Sequence, residues 1–321
     1  MSASAAATRR AKKLREELAR HDVLYYVEAK PVISDAEYDK LFRELVELER
    51  AHPELVTPDS PTQRVGAPLP EGQGFQRVRH EVPMLSIESL FEEGEVREFD
   101  ARIKRFLKLD EDLDLDWVVE PKFDGASTSL VYEQGRFVRG LTRGDGAVGE
   151  DITANLRTVR SIPLRLRDDT REVPELLEVR GEILIELEAF RAFNATREAD
   201  GKALLANPRN AAAGALRRND PGEVARYPLT FQPWSVTRCV GHELETHAEA
   251  LEALRDWGLP TGDHARVVKG IDACLAYHAE METGRAGLPF EADGIVGKLD
   301  RLDLRERLGA TARAVRWQFA F

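Results

Sequence analysis

The sequence is poor in cysteine and has no recognisable metal-binding pattern. Its two cysteines, Cys239 and Cys274, lie far apart and have no neighbouring ligands at zinc-site spacing. The 7 histidines show no metal pattern either. We therefore expect reduced, structural cysteines, as is usual in the cytoplasm, and no metal ion held in a cage of protein ligands.

Long apolar runs and an excess of positive charge are also missing. Although 42% of the residues are hydrophobic, no run is long enough for a membrane span, and no signal-peptide core precedes Leu14. The net charge of -11 argues against a broad DNA-binding surface, because duplex affinity depends on neutralising phosphates. These features predict a cytoplasmic protein without membrane contact, and nothing in them requires more than a monomer. The 321 residues are enough for two domains.

What the sequence does contain is a lysine at the end of a β-prone segment. Glu120-Pro121-Lys122-Phe123-Asp124-Gly125 follows apolar residues, and a strand, a turn and a second strand are predicted over residues 129–143. We therefore place Lys122 in a pocket at a strand end. Apolar and cationic neighbours would lower its proton affinity, and a neutral amine is a nucleophile. On this motif alone, a solvated turn lysine is the other interpretation.

Further polar clusters follow along the chain. Arg143-Gly144-Asp145-Gly146 closes the predicted hairpin, and Glu178-Val179-Arg180-Gly181-Glu182 is a second β-prone segment with carboxylates. A short predicted helix introduces Arg209 and Arg217, and Asp293-Gly294-Ile295-Val296-Gly297-Lys298 adds a second strand-borne lysine. We expect these strand ends and loops to converge on one pocket.

Together these motifs resemble those of the covalent nucleotidyltransferases, and closely those of the bacterial NAD⁺-dependent DNA ligases. Lys122-Phe123-Asp124-Gly125 is similar to the family's adenylated-lysine motif, whereas Arg143, Glu182 and residues 293–298 are similar to its later nucleotide-binding motifs. The resemblance covers essentially the whole chain. It implies an α+β fold in which a small N-terminal helical domain precedes a larger nucleotidyltransferase domain built on antiparallel sheets with flanking helices.

The resemblance also implies a reaction. Lys122 would attack the adenylyl phosphorus of NAD⁺, form a lysine-AMP adduct and release nicotinamide mononucleotide (NMN), which is the first step in sealing nicks in duplex DNA. It assigns catalytic roles to Lys122, Asp124 and Lys298, with Mg²⁺ or Mn²⁺ coordinated by the phosphates. It also assigns the adenylyl half of NAD⁺ to Ser86, Ile87, Glu120, Arg143, Glu182, Arg209, Arg217, Trp234, Arg285 and Lys298. Trp234 would stack on adenine, and core packing is the other interpretation.

The start of the chain predicts the helical domain. Residues 9–28 form a charged amphipathic stretch, and Ser34-Asp35-Ala36-Glu37 is a capping box that begins a second helix. Residues rich in proline follow and read as a linker. We therefore predict a helical domain over residues 1–64, with the boundary near Arg64, and a nucleotidyltransferase domain over residues 65–321.

The two helices carry a candidate site for the nicotinamide half. On the second helix Asp35, Tyr38 and Asp39 share one face. An aromatic ring can hold a pyridinium cation and carboxylates can accept ribose hydroxyls; complementing the helix dipole and packing are the alternative roles. The resemblance assigns NMN binding to Tyr25, Tyr26, Asp35, Ala36, Glu37, Tyr38 and Asp39. A hinge at residues 57–61 would let this domain close over the site.

Several parts of the family pattern have no counterpart in this sequence. These are the oligonucleotide-binding, zinc, helix-hairpin-helix and BRCT domains, so we expect weak or absent DNA binding and no ligation by this chain alone. Residues 314–321 resemble the start of the last motif, whose lysine would follow Phe321. An ATP-dependent ligase or capping-type nucleotidyltransferase is the close alternative, which residues 25–39 disfavour. A nucleotide-binding module with impaired catalysis is the other, which the presence of Lys122, Glu182 and Lys298 disfavours.

Overall fold

The N-terminal part is a pair of helices. The structure, a computed structural model, describes residues 3–26, 32–65 and 74–321. Helices α1 (Ala5–Tyr26) and α2 (Asp35–Ala51) pack through a small core that includes Leu14, Leu18 and Leu45. The predicted capping box is confirmed, because the Ser34 side chain accepts from the Glu37 backbone while the Glu37 side chain accepts from the Ser34 backbone. Short 3₁₀ helices follow at Pro53–Leu55 and Pro61–Gln63.

The larger part mixes strands and helices, which confirms the predicted α+β class. Its strands are β1 (Arg77–Arg79), β2 (Ser86–Ser89), β3 (Asp116–Phe123), β4 (Ala126–Glu133), β5 (Arg136–Thr142), β6 (Val148–Glu150), β7 (Leu176–Leu184), β8 (Thr230–Val240), β9 (Arg266–Lys269), β10 (Ala292–Leu299) and β11 (Ala314–Ala320). Its helices are α3 (Glu93–Leu107), α4 (Thr153–Leu156), α5 (Leu187–Ala199), α6 (Pro208–Leu216), α7 (Pro221–Val224), α8 (His247–Asp256), α9 (Ile271–Gly284) and α10 (Leu302–Leu308), with a 3₁₀ helix at Arg285–Gly287.

The strands form two main sheets. One has five strands in the order β2-β11-β10-β3-β9, and the other has four in the order β5-β4-β7-β8. Pairing is antiparallel, as predicted for these sheets, except between β11 and β2, which run parallel. Strands β1 and β6 form a separate antiparallel pair. The chain passes from the first main sheet to the second within Asp124-Gly125, directly after the Lys122 segment.

Each main sheet has its own hydrophobic core. The five-stranded sheet packs against α3 and α9 through Phe99, Trp117 and Phe319, whose rings lie 5.3 to 6.2 Å apart. The four-stranded sheet is covered by α6 and α8, and this core includes Leu254 and Phe231. Apolar side chains therefore stabilise the outer faces of both sheets, which leaves the polar strand ends between the sheets open to form a site.

The segment that joins the helical pair to the sheets is bonded on both sides. Ser60 Oγ donates to Glu49 of α2 at 2.7 Å. Arg64, which is 5% exposed, donates to the backbone carbonyls of residues 157, 159 and 162 at 3.1 to 3.4 Å. Arg157 in turn donates to the Pro58 carbonyl at 2.5 Å. The predicted hinge at residues 57–61 thus lies in a segment held by both parts of the molecule.

Both cysteines lie in the described part of the chain. Neither Cys239 nor Cys274 is in a disulfide, and burial raises the pKa of the Cys274 thiol to about 12. None of the described helices is both long and apolar enough to cross a membrane.

Candidate active site

A cavity of about 320 Å³ opens between the two main sheets. Its walls are strand ends and connecting loops from both sheets, as predicted from the order of the polar clusters. The lining residues are Met84, Leu85, Ser86, Ile87, Ser89, Glu120, Pro121, Lys122, Phe123, Asp124, Gly125, Ser127, Arg143, Glu182, Arg209, Gln232, Pro233, Trp234, Leu251, Thr261, His264, Ala265, Val296, Lys298 and Gln318. The clusters led by Lys122, Arg143, Glu182, Arg209 and Lys298 therefore meet at one place.

Lys122 lies at the end of β3 on the cavity wall. Its Nζ donates to both oxygens of Asp293, at 2.7 and 2.8 Å, and its side chain is 34% exposed. The immediate partner is thus a carboxylate, whereas the sequence predicted apolar and cationic neighbours. The amine has to release its paired proton before it can act as a nucleophile.

The turn after Lys122 is tightly enclosed. Asp124 forms an ion pair with Arg209 of α6 at 3.0 Å, and its backbone N–H donates to the Glu291 carbonyl at 2.8 Å. A Cβ at Gly125 would lie 2.5 Å from the Leu184 side chain and 2.6 Å from the Ile183 carbonyl. Only glycine fits here without displacing β7, so the close packing of this turn against β7 fixes where Lys122 and Asp124 stand.

Lys298, the second lysine of the cavity, is buried. It is 1% exposed, forms a short hydrogen-bonded ion pair with Glu120 and donates to the Trp234 carbonyl at 2.6 Å. Its Nζ also lies 5.3 Å from the centre of the Trp234 ring. Burial lowers the pKa of Lys298, and the Glu120 carboxylate opposes that effect. The pair is held on neighbouring antiparallel strands, β3 and β10.

Glu182 of β7 is a half-buried acid of the cavity. Its Oε1 accepts from Ser127 Oγ at 2.7 Å across the β4–β7 pairing. Burial raises its pKa to about 7, although hydrogen bonding from Ser127 and Trp234 acts in the opposite direction. This carboxyl group therefore changes charge close to neutral pH.

The loop after β5 reaches across to β2. Arg143 Nη2 donates to Ser86 Oγ at 2.9 Å, and Ile87 follows Ser86 on the cavity wall. Gly144 and Gly146 both have positive φ, 58° and 90°, which explains the glycines of Arg143-Gly144-Asp145-Gly146. The loop conformation thus places the Arg143 guanidinium beside Ser86.

Two predicted phosphate-binding residues lie elsewhere. Arg217 is the exposed cap residue after α6, and Arg285 is exposed in the 3₁₀ helix that follows α9. Neither lines the cavity. The sequence grouped Arg217 with Arg209 because both belong to one short helix, but only the first turn of that helix faces the cavity.

The candidate NMN-binding residues whose side chains the structure describes do not line the cavity either. Tyr25 is 50% exposed on α1, Asp39 is exposed on α2, and the Glu37 carboxylate is used by the capping box. Tyr38 donates to Asp22 at 2.8 Å, and Asp22 also pairs with Arg64 at 3.2 Å. Burial and the Asp22 carboxylate raise the pKa of Tyr38. Tyr26 ends α1, and Asp35 and Ala36 begin α2, but the side chains of these three lie outside the described part.

Some cavity residues had little signal in the sequence. Asp293 was recognised only as part of a motif, and its pairing with Lys122 depends on β3 and β10 being neighbours. Thr261 and His264 come from the irregular segment before β9, and Gln318 pairs with Lys298 across β10 and β11. Thr261 and His264 are isolated polar residues without a motif, and Gln318 lies in the segment 314–321 but was given no role, so only the folded chain brings the three to the cavity.

A bound metal would have few free protein ligands here. Among the described residues, no group of three or more His, Cys, Asp or Glu could hold a metal ion. Asp124 is paired with Arg209, Asp293 with Lys122, and Glu120 with Lys298. A divalent cation fits this donor set only if phosphate oxygens supply most of its ligands.

An α+β domain with a lysine on a cavity between its two sheets has the architecture of a covalent nucleotidyltransferase. Comparison with known proteins specifies the family. Residues 72–321 match the NAD-dependent DNA ligase adenylation domain, and residues 4–66 match the DNA ligase-like, N-terminal NAD⁺-binding domain. The chain therefore belongs to the NAD-dependent DNA ligase adenylation-domain family, which confirms the resemblance inferred from the motifs.

Curated relatives agree with this family, and the alignments show what share of each relative this chain covers. DNA ligases are 51% identical in Geobacter metallireducens, 48% in Salinibacter ruber and 45% in Coxiella burnetii, in each case over 98% of this chain and 45 to 46% of the relative. This chain thus spans less than half the length of these relatives. A solved archaeal ATP-dependent RNA ligase is 18% identical and covers 68% of this chain and 45% of its own, with a TM-score of 0.38. That similarity is too low to bear on fold or function.

Proposed function

We propose that this chain carries out the adenylation step of an NAD⁺-dependent DNA ligase. In that step Lys122 Nζ attacks the α-phosphorus of the adenylyl group of NAD⁺. A nitrogen–phosphorus bond forms, the bond to the NMN phosphate breaks, and the products are a lysine-AMP phosphoramidate and NMN. The observation that carries this proposal is the placement of the Lys122 amine on a cavity that also contains Glu120, Glu182, Arg209 and Lys298.

The attacking amine must first lose a proton. Asp293 accepts two hydrogen bonds from Lys122 Nζ, so its carboxylate is in place to receive that proton. The other cavity lysine is less suited to attack, because Lys298 is buried and already bonded to Glu120 and the Trp234 carbonyl. We therefore assign the nucleophile to Lys122.

Negative charge develops on the phosphate oxygens and on the leaving group during the attack. Arg209 and Lys298 are the cations on the cavity wall that can offset it, while Asp124 orients Arg209 through their ion pair. Phosphate-bound Mg²⁺ or Mn²⁺ would supply further positive charge. Arg217 and Arg285 could contribute only after a rearrangement, because both are exposed away from the cavity.

The remaining cavity residues suit the adenosine half. Glu120 and Lys298 present an acceptor and a donor to adenine, and Trp234 offers a ring face for stacking. Glu182 and Arg143 are polar groups for the ribose and its surroundings, with Ser86 and Ile87 forming the facing wall. Lys298 is buried, and a buried polar group gives specificity because it is left without a partner when the wrong ligand binds.

The helical part would bind NMN and must move to do so. Its match to an NAD⁺-binding domain supports this role, and residues 25, 26 and 35–39 remain the candidates. In the present arrangement the described members, Tyr25 and residues 37–39, do not line the cavity, so binding of the whole dinucleotide requires closure. Since residues 57–61 are bonded to both parts, the motion has to break contacts such as Ser60 with Glu49 or Arg64 with Asp22.

The domain limits and partners follow from the same proposal. We assign residues 1–64 to the NMN-binding domain and residues 65–321 to the nucleotidyltransferase domain. Nicked duplex DNA is the substrate of the full-length enzyme in the bacterial cytoplasm, and we expect this chain alone to be monomeric, to bind DNA weakly and not to ligate it. The match of residues 4–66 to an NAD⁺-binding domain disfavours an ATP-using or GTP-using relative.

Intact-mass spectrometry tests the proposal. The purified chain is incubated with a divalent cation and either NAD⁺ or ATP. We expect an AMP-sized mass gain with NAD⁺ only, and none in Lys122→Ala. Lys269→Ala, which changes an exposed lysine of β9, serves as the matched control and should still gain mass. A gain with ATP instead, or a gain in Lys122→Ala, would contradict the proposal.

A further inference from the structure

A row of charged side chains occupies one face of β7. Because strand side chains alternate between faces, Glu178, Arg180 and Glu182 point to the same side. Glu182 lines the cavity, but Glu178 and Arg180 do not. They are nevertheless almost completely buried, at 4% and 5% exposure. Arg180 is thus a buried charge that lies next to the cavity without lining it. Because burying a charge is costly unless it is paired, its hydrogen-bond partners indicate its role.

Arg180 bonds to a segment that is remote in sequence. Its Nη1 donates to the Pro83 carbonyl at 3.0 Å, and its Nη2 forms a short hydrogen bond to the Val82 carbonyl. Behind it, the Glu178 carboxylate lies 3.6 Å away and accepts from Ser129 Oγ at 3.1 Å. The guanidinium is thus fixed from one side by a carboxylate and grips two consecutive carbonyls on the other.

The residues that carry these two carbonyls directly precede a segment that lines the cavity. Residues 84–87 follow Pro83 without interruption, and all four line the cavity. The segment before β2 has no regular structure. Its position depends on individual hydrogen bonds, namely those from Arg180 and those from the backbone N–H groups of Met84 and Ser86 to the carbonyls of Gly146 and Arg313, at 2.8 and 3.0 Å.

We propose that Arg180 is a positioning residue. It holds residues 84–87 in place through the Val82 and Pro83 carbonyls and thereby determines the affinity for the adenosine end of the nucleotide, without touching the nucleotide itself. This inference rests on the proposed function, in which residues 84–87 face adenosine. A buried ion pair is often replaceable by apolar side chains without loss of stability. What Arg180 provides and an apolar side chain cannot is therefore the pair of hydrogen bonds to two consecutive backbone carbonyls.

The test compares Arg180→Met with the parent chain. Methionine preserves most of the apolar volume but removes both hydrogen bonds. We expect the KM for NAD⁺ in adenylation to rise about tenfold, the change produced by roughly 1.4 kcal/mol of lost positioning, with kcat within about threefold of the parent. Hydrogen exchange at the Met84 and Ser86 amides should also accelerate. Arg139→Met, which changes an exposed arginine of β5, should alter neither quantity.

A second variant separates positioning from general stability. Arg180→Lys retains the charge beside Glu178 but can reach only one carbonyl at a time, so its KM and exchange rates should lie between those of parent and Arg180→Met. If Arg180→Met does not fold, this variant and the exchange data decide the question. Unchanged KM and exchange in a folded Arg180 variant, or a fall in kcat alone, would overturn the inference.

Failure of this inference can be distinguished from failure of the proposed function. If the parent chain forms no adduct with NAD⁺, the proposed function fails, but AMP affinity by calorimetry and amide exchange still report on Arg180. In that case a weaker AMP affinity with faster exchange supports the positioning role, and unchanged values reject it.

Discussion

At the scale of residues, the two cavity lysines differ in their surroundings. Lys122 is partly exposed and held by Asp293 alone among the described side chains, whereas Lys298 is buried and shares its protons with Glu120 and the Trp234 carbonyl. An incoming phosphate can compete with one carboxylate at a cavity wall more readily than with a buried network. The difference in burial therefore supports Lys122 as the group that reacts and Lys298 as a fixed charge.

Glu182 makes the stability of the ligand-free chain depend on pH. Its folded pKa of about 7 lies above the ordinary value of 4.5 because of burial. The native state thus favours the protonated form, so this contribution to stability is complete below the unfolded pKa and is lost as pH rises through about 7. We expect Glu182→Gln to remove up to roughly 3 kcal/mol of that pH dependence.

Chemical denaturation at a series of pH values between 5 and 8.5 checks this expectation. The free energy of unfolding of the parent should fall with pH relative to that of Glu182→Gln. Glu133→Gln, which changes an exposed carboxylate at the end of β4, should follow the parent. Parallel curves for the parent and Glu182→Gln would show that the acid is ionised throughout this range.

At the scale of elements, the connection between β3 and β4 is the most constrained part of the site. We expect Gly125→Ala to lower the free energy of unfolding by about 1 to 3 kcal/mol, since the new methyl group collides with β7. Adenylation should fall more than stability, because the same turn carries Lys122 and Asp124. Thermal unfolding and single-turnover adduct formation measure the two effects.

A glycine with free space provides the matched control. Gly94 lies in α3, and a Cβ there would meet nothing within 4 Å. Gly94→Ala should therefore leave adenylation unchanged and stabilise the chain by about 0.5 to 1 kcal/mol through helix propensity. A stable, fully active Gly125→Ala variant would show that the turn after β3 can move away from β7 without cost.

Local patterns explain which elements were predictable. The hairpin of β4 and β5 and the capping box of α2 depend on residues close together in sequence. The parallel pairing of β2 with β11 was not predicted, because it joins residues more than two hundred positions apart. The same reason hid the contact of Asp293 with Lys122 and the contribution of Thr261, His264 and Gln318 to the cavity.

At the scale of the whole molecule, Arg64 joins the helical pair to the larger part through a buried network. Arg64→Met would remove its bonds to three backbone carbonyls and leave Asp22 buried without its cation. Removing one partner of a buried pair costs about 3 to 5 kcal/mol. We expect the helical part to unfold at a lower temperature than the sheets in this variant, which would appear as a separate transition in scanning calorimetry.

Arg50→Met is the control for that experiment, because Arg50 is exposed in the last turn of α2. It should unfold as the parent does. If Arg64→Met also unfolds as the parent does, the two parts are held together by other contacts, and the closing motion would not need to break the Arg64 network.

The most direct test of the central claim is to locate the adduct. The chain is incubated with NAD⁺ and a divalent cation, digested, and sequenced by tandem mass spectrometry under conditions that preserve phosphoramidates. The account predicts AMP on Lys122 and on no other residue. AMP attached to Lys298, to another lysine, or to a histidine would contradict it.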